Sequence, residues 1–117
     1  MKINLVEAIK NKKDILKIQE ILEKESYRNL LLFCVGINSG LRISDILKLN
    51  VGDVKNKDYI SIIEKKTKKY KKFPINIKLK NMFQKYTQDK NEDMPLFSTK
   101  YNNRLDRIEA YRILKRA

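Results

Sequence analysis

Arg42 is the first residue of this sequence whose surroundings point to chemistry. It stands between Leu41 and Ile43, and it follows Gly40 shortly after an apolar run at residues 30–37. Such a run is typical of a buried helix, and glycine favours the left-handed conformation that ends a helix. We therefore expect a rigid backbone at Arg42. A guanidinium held in this way offers two parallel hydrogen bonds to a phosphate and can stabilise charge that develops there.

A lysine-rich segment supplies the second candidate group. A polar turn begins after Glu64 and lies between two stretches rich in β-forming residues. The turn and the start of the following stretch contain Lys65, Lys66, Thr67, Lys68, Lys69, Tyr70, Lys71 and Lys72. A lysine ammonium can protonate a leaving oxygen as a general acid. It can also form part of a solvated basic turn that only neutralises nucleic-acid phosphates.

The charge balance favours a polyanionic partner. The chain has 27 Lys and Arg residues against 14 Asp and Glu residues, a formal net charge of +13 and a pI of about 9.8. Nucleic acid is the leading candidate. An anionic membrane is less favoured, because no basic amphipathic helix with a bulky apolar face stands out. The length of 117 residues allows one domain with a modest core.

Composition also predicts a cytoplasmic protein without a cofactor. The single cysteine, Cys34, lies inside the apolar run and is interpreted as a core residue, so no disulfide is expected. The sequence has neither a signal peptide nor an apolar stretch of the ~20 residues that span a bilayer. It has no histidine and three separated glycines, which leaves no recognisable metal site or phosphate-binding loop.

The elements that position Arg42 are predicted to be helices. Asn11 is expected to cap a first helix that ends near residue 25, and Ser26 to cap the buried second helix. A short third helix follows Arg42, with an apolar side made of Ile46, Leu47 and Leu49. The capping residues and the helical spacing of the apolar residues carry these predictions.

The period of the pattern then changes to that of strands. Residues 59–64 and 71–75 are predicted strands, and Val54 is expected to begin a third, short one. Asn76 caps a helix over residues 77–88, and residues 94–97 form an extended piece in the core. Asp106 caps a final helix with an apolar side of Ile108, Tyr111, Ile113 and Leu114. The predicted fold class is α+β, mainly helical with a small three-stranded antiparallel sheet.

One segment carries a resemblance to a known family. It reads Ser39-Gly-Leu-Arg-Ile-Ser-Asp-Ile-Leu-Lys-Leu-Asn-Val-Gly-Asp-Val54. It closely resembles the first catalytic-arginine motif of the tyrosine recombinases, the phage integrase family. That motif has a small residue, Gly, Leu, Arg, an apolar residue, Ser or Gly, and an acidic residue. Two apolar residues, a spacer, Leu, three further residues and Asp complete it. Every one of these positions is matched.

The resemblance implies roles for the two candidate groups. Arg42 corresponds to the first active-site arginine. The family also has an active-site lysine in a Lys-Thr turn of a β-hairpin, followed by an apolar residue and proline, and Lys66-Thr67 and Phe73-Pro74 match this spacing. Lys66 would protonate the 5′ oxygen as it leaves, with Lys65 and Lys68 as alternatives. For Lys68, Lys69, Lys71 and Lys72, contact with the DNA backbone is the preferred interpretation, and Thr67 and Tyr70 are further contact candidates.

Three residues near Arg42 are interpreted as support for the site. Asp45 matches the acidic position of the motif and is expected to cap the short helix or to orient Arg42. Ser39 and Gly40 match the positions before the arginine and are expected to form the turn, although Ser39 could also touch a phosphate. No metal ligand is assigned.

The resemblance covers nearly the whole chain but only the first part of a recombinase catalytic domain. The family's His-x-x-Arg motif and nucleophilic tyrosine follow the helix that begins here at Asp106, and this helix ends without a cap at Ala117. Residues 1–117 are therefore predicted to be a truncated catalytic core that is inactive alone. Double-stranded DNA is the implied partner. The full enzyme would work as a tetramer on paired sites, whereas the fragment can be monomeric.

Two other interpretations account for part of the sequence. A non-catalytic, basic helix–turn–helix-like module would also bind nucleic acid, and residues 41–54 would then contain its turn and second helix. The strand, Lys-Thr turn and second strand that follow favour the recombinase instead. A basic ribosome-associated protein would explain the charge but not the Gly-Leu-Arg segment.

Overall fold

The computed structural model describes residues 12–64 and 66–116, which belong to two compact units. The first unit contains residues 12–46 and 106–116, and the second contains residues 47–105. The elements are α1 (Lys12–Glu25), α2 (Tyr27–Ser39), α3 (Ile43–Ile46), a 3₁₀ turn (Val51–Asp53), β1 (Tyr59–Ile63), β2 (Tyr70–Pro74), α4 (Ile77–Thr87) and α5 (Arg107–Arg116). The helical character and the antiparallel sheet confirm the α+β class. The predicted cap Asn11 and the candidate Lys65 lie outside the described residues.

Helix α2 forms the centre of the first unit. Its predicted cap is confirmed, because the Ser26 hydroxyl accepts a hydrogen bond from the Asn29 amide at 3.1 Å. The helix buries Leu31, Leu32, Phe33, Cys34 and Val35. Helices α1 and α5 pack against it. Burial of each large apolar side chain stabilises the fold by roughly 1.5–3 kcal/mol.

Helix α5 begins as predicted, and Ile113 of its predicted apolar side is buried, with Tyr111 and Leu114 half-buried. The Asp106 carboxylate accepts a hydrogen bond from the Glu109 amide at 2.8 Å, which confirms the cap. Ala110 and Ile113, three residues apart, are the buried pair, whereas Ile108 is 61% exposed. The prediction for Ile108 was wrong because the small Ala110 permits close packing and thereby sets the rotation of the helix.

The second unit is built around the hairpin of β1 and β2. The strands are antiparallel, and the register pairs Tyr59 with Pro74 and Ile63 with Tyr70. Helix α4 of this unit begins at the predicted cap, where the Asn76 side chain accepts a hydrogen bond from the Leu79 amide at 2.8 Å. Leu79 and Phe83, which lie four residues apart and therefore on one side of the helix, are buried.

The predicted third strand is absent among the described residues, where the sheet has two strands. Val54 instead ends the 3₁₀ turn, and its amide donates to the Val51 carbonyl at 3.2 Å. Asp53 closes the turn, because its carboxylate accepts a hydrogen bond from the Asn50 amide at 2.7 Å. Val54 is buried. Its β-branched side chain therefore serves core packing, and the strand prediction was wrong.

Residues 94–97 enter the core as predicted, but they form bends around a single antiparallel bridge between Asn50 and Pro95 and are not an extended strand. The Leu96 amide donates to the Leu49 carbonyl at 2.9 Å, and the Val51 amide donates to the Met94 carbonyl at 2.8 Å. Leu96 and Phe97 are fully buried. This pairing attaches residues 49–51 to the core of the second unit. These residues lie near the end of the stretch 39–54 that resembles the recombinase motif, which we call the motif segment.

Candidate functional site

The turn between α2 and α3 fixes the backbone on both sides of Arg42. Gly40 has φ +69° and donates its amide to the Gly36 carbonyl at 3.0 Å, which confirms the left-handed helix end. The Ser39 hydroxyl donates to the Val35 carbonyl at 2.6 Å and accepts from the Leu41 amide at 3.1 Å. The hydroxyl is thus engaged in the turn.

The residues after Arg42 hold its carbonyl group. The Asp45 and Ile46 amides both donate to the Arg42 carbonyl oxygen at 3.0 Å. Leu41 and Ile43 are buried, while Arg42 itself is half-buried. Arg42 therefore extends from a backbone that is anchored by two buried neighbours and the five hydrogen bonds just described, which is the preorganisation that a phosphate-binding arginine needs.

Asp45 lies inside the first unit, with only 2% of its surface exposed. Carboxylates are seldom buried to this extent unless they are paired. Its backbone amide donates to the carbonyl oxygen of Arg42. The interpretation that Asp45 orients Arg42 stays a prediction.

The hairpin turn is organised by a carboxylate that the sequence analysis did not assign. Glu64 is buried, and its Oε1 accepts hydrogen bonds from the Thr67 hydroxyl and the Lys71 ammonium, each at 3.1 Å. The Glu64 carbonyl accepts the Lys68 amide at 2.9 Å, and Lys68 has φ +59°. Lys66 lies on the exposed side of this turn. The turn therefore has a defined shape, and Lys66 faces solvent.

The other lysines of the hairpin divide into two kinds. Lys71 forms the ion pair with Glu64, and the Lys72 ammonium lies 4.4 Å from the centre of the Tyr59 ring. Lys68 and Lys69 are exposed in the turn itself. A polyanion that contacts Lys71 would compete with the Glu64 carboxylate for its ammonium group.

An ion pair secures the base of the hairpin. The Lys80 ammonium of α4 lies 2.5 Å from the Asp58 carboxylate, and the Ile75 amide donates to the Asp58 carbonyl at 2.8 Å. The hydrogen bond and the charge of Lys80 lower the pKa of Asp58. The contact with Lys80 therefore favours the ionised form of Asp58.

The structure gathers the predicted residues into two groups. Ser39, Gly40, Arg42 and Asp45 form one group in the first unit, and the described members of the lysine-rich segment form the other in the second unit.

The two tyrosines that could be taken for nucleophiles differ in setting. Tyr101 is 73% exposed in a loop, while Tyr111 is half-buried on α5.

Arg104 is a second residue that sequence reasoning missed. Its guanidinium donates to the Leu47 and Leu49 carbonyls at 2.7 and 3.1 Å and to the Asn50 side chain at 2.5 Å. These acceptors form the end of the motif segment. No local signal marks this contact, because it joins residues 54 to 57 positions apart.

Replacing Arg104 by alanine should destabilise the second unit by about 2 kcal/mol, because hydrogen bonds from a charged donor to three acceptors are lost. Urea unfolding of the chain would measure the change. Arg112→Ala is the matched control, because the ion pair between Arg112 and Glu109 at 3.9 Å lies on the surface and its loss should change stability by less than about 1 kcal/mol. Equal stabilities of the two variants would contradict a clamping role for Arg104.

Comparison with known proteins gives consistent results. The model of the phage integrase family matches residues 9–117. The "Probable integrase/recombinase YoeC" of Bacillus subtilis (strain 168) is 43% identical over 115 residues, which are 97% of this chain and 64% of that protein. The chain thus spans somewhat less than two thirds of this relative's length. No solved structure matches.

The helices were also compared with the requirements of a membrane span. Within residues 12–64 and 66–116, no helix is both long enough and apolar enough to cross a bilayer.

Proposed function

The chain belongs to the phage integrase family, and we propose that it forms the N-terminal part of a catalytic domain that cuts and rejoins DNA through a phosphotyrosine intermediate. The rigid turn around Arg42 is the observation that carries this proposal. Arg42 would bind the non-bridging oxygens of the scissile phosphate. It would stabilise the charge that builds up as the phosphorus gains its fifth oxygen.

Lys66 is proposed to be the general acid of the cleavage step. The phenolate of a deprotonated tyrosine from a C-terminal part of the domain would attack phosphorus, and the bond from phosphorus to the 5′ oxygen would break. The Lys66 ammonium would give its proton to that oxygen. In the rejoining step the 5′ hydroxyl would return the proton to Lys66 as it attacks the phosphotyrosine. Residues 1–117 by themselves would bind DNA without cutting it.

The partner of the whole protein is proposed to be double-stranded DNA, with a tetramer assembled on paired sites. The net charge of +13 supports a polyanionic partner. A simple helix–turn–helix module is less well supported, because α3 has only four residues. A recognition helix must place several side chains along the major groove, and one helical turn is too short for that.

DNA binding through the hairpin turn can be tested by salt dependence. Replacement of Lys66, Lys68 and Lys69 by glutamine should lower the log–log salt slope by up to about 2.7 units, since each neutralised phosphate contributes about 0.9. The affinity for a labelled duplex would be measured by fluorescence anisotropy at several salt concentrations. The hairpin variant Lys71→Gln/Lys72→Gln is the matched control and should change the slope less, because both lysines already have intramolecular partners.

An unchanged slope in the triple variant would remove the turn from the DNA interface. A larger effect from Lys71 and Lys72 than from the turn lysines would place the DNA along β2 and contradict contact through the turn.

A further inference from the structure

The outer face of the hairpin carries an exposed apolar surface that the proposed cleavage chemistry does not use. Tyr59, Ile63 and Tyr70 are 48%, 63% and 66% exposed. The opposite face is buried at Ile60 and half-buried at Phe73. The solvent side of such a sheet is normally polar, so large exposed apolar side chains on it indicate an interaction surface.

Register places these residues on one continuous face, which we call the hairpin face. Alternate residues of a strand share a face, so Tyr59, Ser61 and Ile63 of β1 stand together. Their partners on β2 are Pro74, Lys72 and Tyr70, respectively. The two tyrosines lie at opposite ends of the face, separated along the strands by about 13 Å at ~3.3 Å per residue. The Ile63–Tyr70 pair is the last of the ladder before the Lys66 turn.

The charges around the hairpin face favour a nucleic acid over a protein. None of the six residues of the face is acidic. The nearest carboxylates in sequence are both paired, Asp58 with Lys80 and Glu64 with Lys71. The Lys72 ammonium lies over the Tyr59 ring. Tyrosine rings flanked by lysines can stack on bases while the lysines meet the phosphates.

We propose that the hairpin face binds unpaired nucleotides by stacking their bases on Tyr59 and Tyr70. A paired duplex hides the faces of its internal bases, so stacking requires bases that have left the helix. This inference rests on the proposed function. Exchange of a cut strand between two sites requires that nucleotides beside the cut phosphate separate from their partners. The hairpin face lies next to the turn that carries Lys66 and would receive them there.

Binding of the 117-residue chain to two labelled probes tests the inference. The probes are a short oligothymidine and a fully paired duplex. The double variant Tyr59→Ser/Tyr70→Ser should bind the oligothymidine about tenfold more weakly, whereas its affinity for the duplex should stay within about twofold. The salt slope on the oligothymidine should not change, because no cation is removed. The rings are surface-exposed, and an unchanged unfolding temperature would show that the variant is folded.

Two controls separate stacking from other effects. Tyr59→Phe/Tyr70→Phe keeps the rings and should bind both probes as the parent chain does. Tyr101→Ser removes another exposed tyrosine of the same unit and should leave both affinities unchanged. Loss of oligothymidine binding in the phenylalanine variant would assign the effect to the hydroxyl groups and overturn stacking.

Failure of the inference is distinguishable from failure of the proposed function. If the parent chain binds duplex but the serine variant binds oligothymidine equally well, only the inference is wrong. If the parent chain binds neither probe, the DNA-binding function is wrong and the inference falls with it. If the parent chain self-associates in sedimentation and the serine variant does not, the hairpin face is a contact between copies, and the proposal is overturned.

Discussion

Arg42→Ala should lower the rate of DNA strand cleavage by about a thousandfold or more, while duplex affinity falls by at most about fivefold. The asymmetry follows from the proposed role. One phosphate contact among many contributes little to binding, but a preorganised cation at the reacting phosphate acts mainly on the transition state. The rate would be measured under single-turnover conditions as covalent protein–DNA product. The protein version used must contain the C-terminal tyrosine and carry the substitution.

Arg112→Ala provides the matched control for charge, because it also removes one guanidinium and should leave cleavage unchanged. Arg42→Lys keeps the charge but loses the planar fork and should remain strongly impaired. Turnover at the parent rate in Arg42→Ala would disprove the catalytic assignment. A parallel loss of affinity and rate would make Arg42 a simple DNA-binding residue.

Lys66→Ala should slow cleavage by about 10²–10⁴-fold, the usual contribution of a general acid. A substrate with sulfur in place of the bridging 5′ oxygen can test the chemical role. A thiol has a pKa of about 8.5 and leaves readily as the thiolate, so it needs no proton donor. The sulfur substrate should therefore restore the Lys66→Ala rate to near that of the parent protein. It should not restore Arg42→Ala, because the charge on the phosphate still lacks its arginine.

Lys68→Ala and Lys69→Ala are the controls from the same turn, and each should change the cleavage rate only a few-fold. If the sulfur substrate restores the cleavage rate of Lys68→Ala, the general acid is Lys68. If it restores the rate of a Lys65 variant, the general acid is Lys65. A Lys66→Ala defect that sulfur does not relieve would mean that Lys66 binds or positions DNA without donating a proton.

Local chemistry accounts for the parts of the fold that the sequence predicted well. Ser26, Asn76 and Asp106 cap the helices expected of them, and Gly40 has the expected positive φ. In each case one side chain or one backbone angle acts within about four residues, so the residues next to it in the sequence suffice to predict the cap or the turn. The Lys-Thr turn was located for the same reason.

The predictions that were wrong concern residues whose local conformational preference competes with burial in the core. Val54 has a β-forming side chain, but Asp53 closes a 3₁₀ turn beside it, and the valine side chain is buried in the core. Ile108 fits the predicted helical stripe but is exposed, whereas Ala110, which lies outside that stripe, is buried together with Ile113. Which side of a short helix becomes buried depends on the shape of its neighbours, and periodicity alone does not encode that shape.

By itself, the sequence determined the family, the helical and strand segments, and Arg42 and Lys66 as candidates, because short-range turns and caps and an ordered motif define them. Only the tertiary structure decided that Glu64 organises the lysine turn, that Arg104 clamps the end of the motif segment, and that Tyr59 and Tyr70 share an exposed face. These features depend on atoms brought together by strand register and by contacts up to 57 residues apart. Such contacts form only once the core has fixed the backbone, because their bonding energy must offset the entropy lost in ordering both partners.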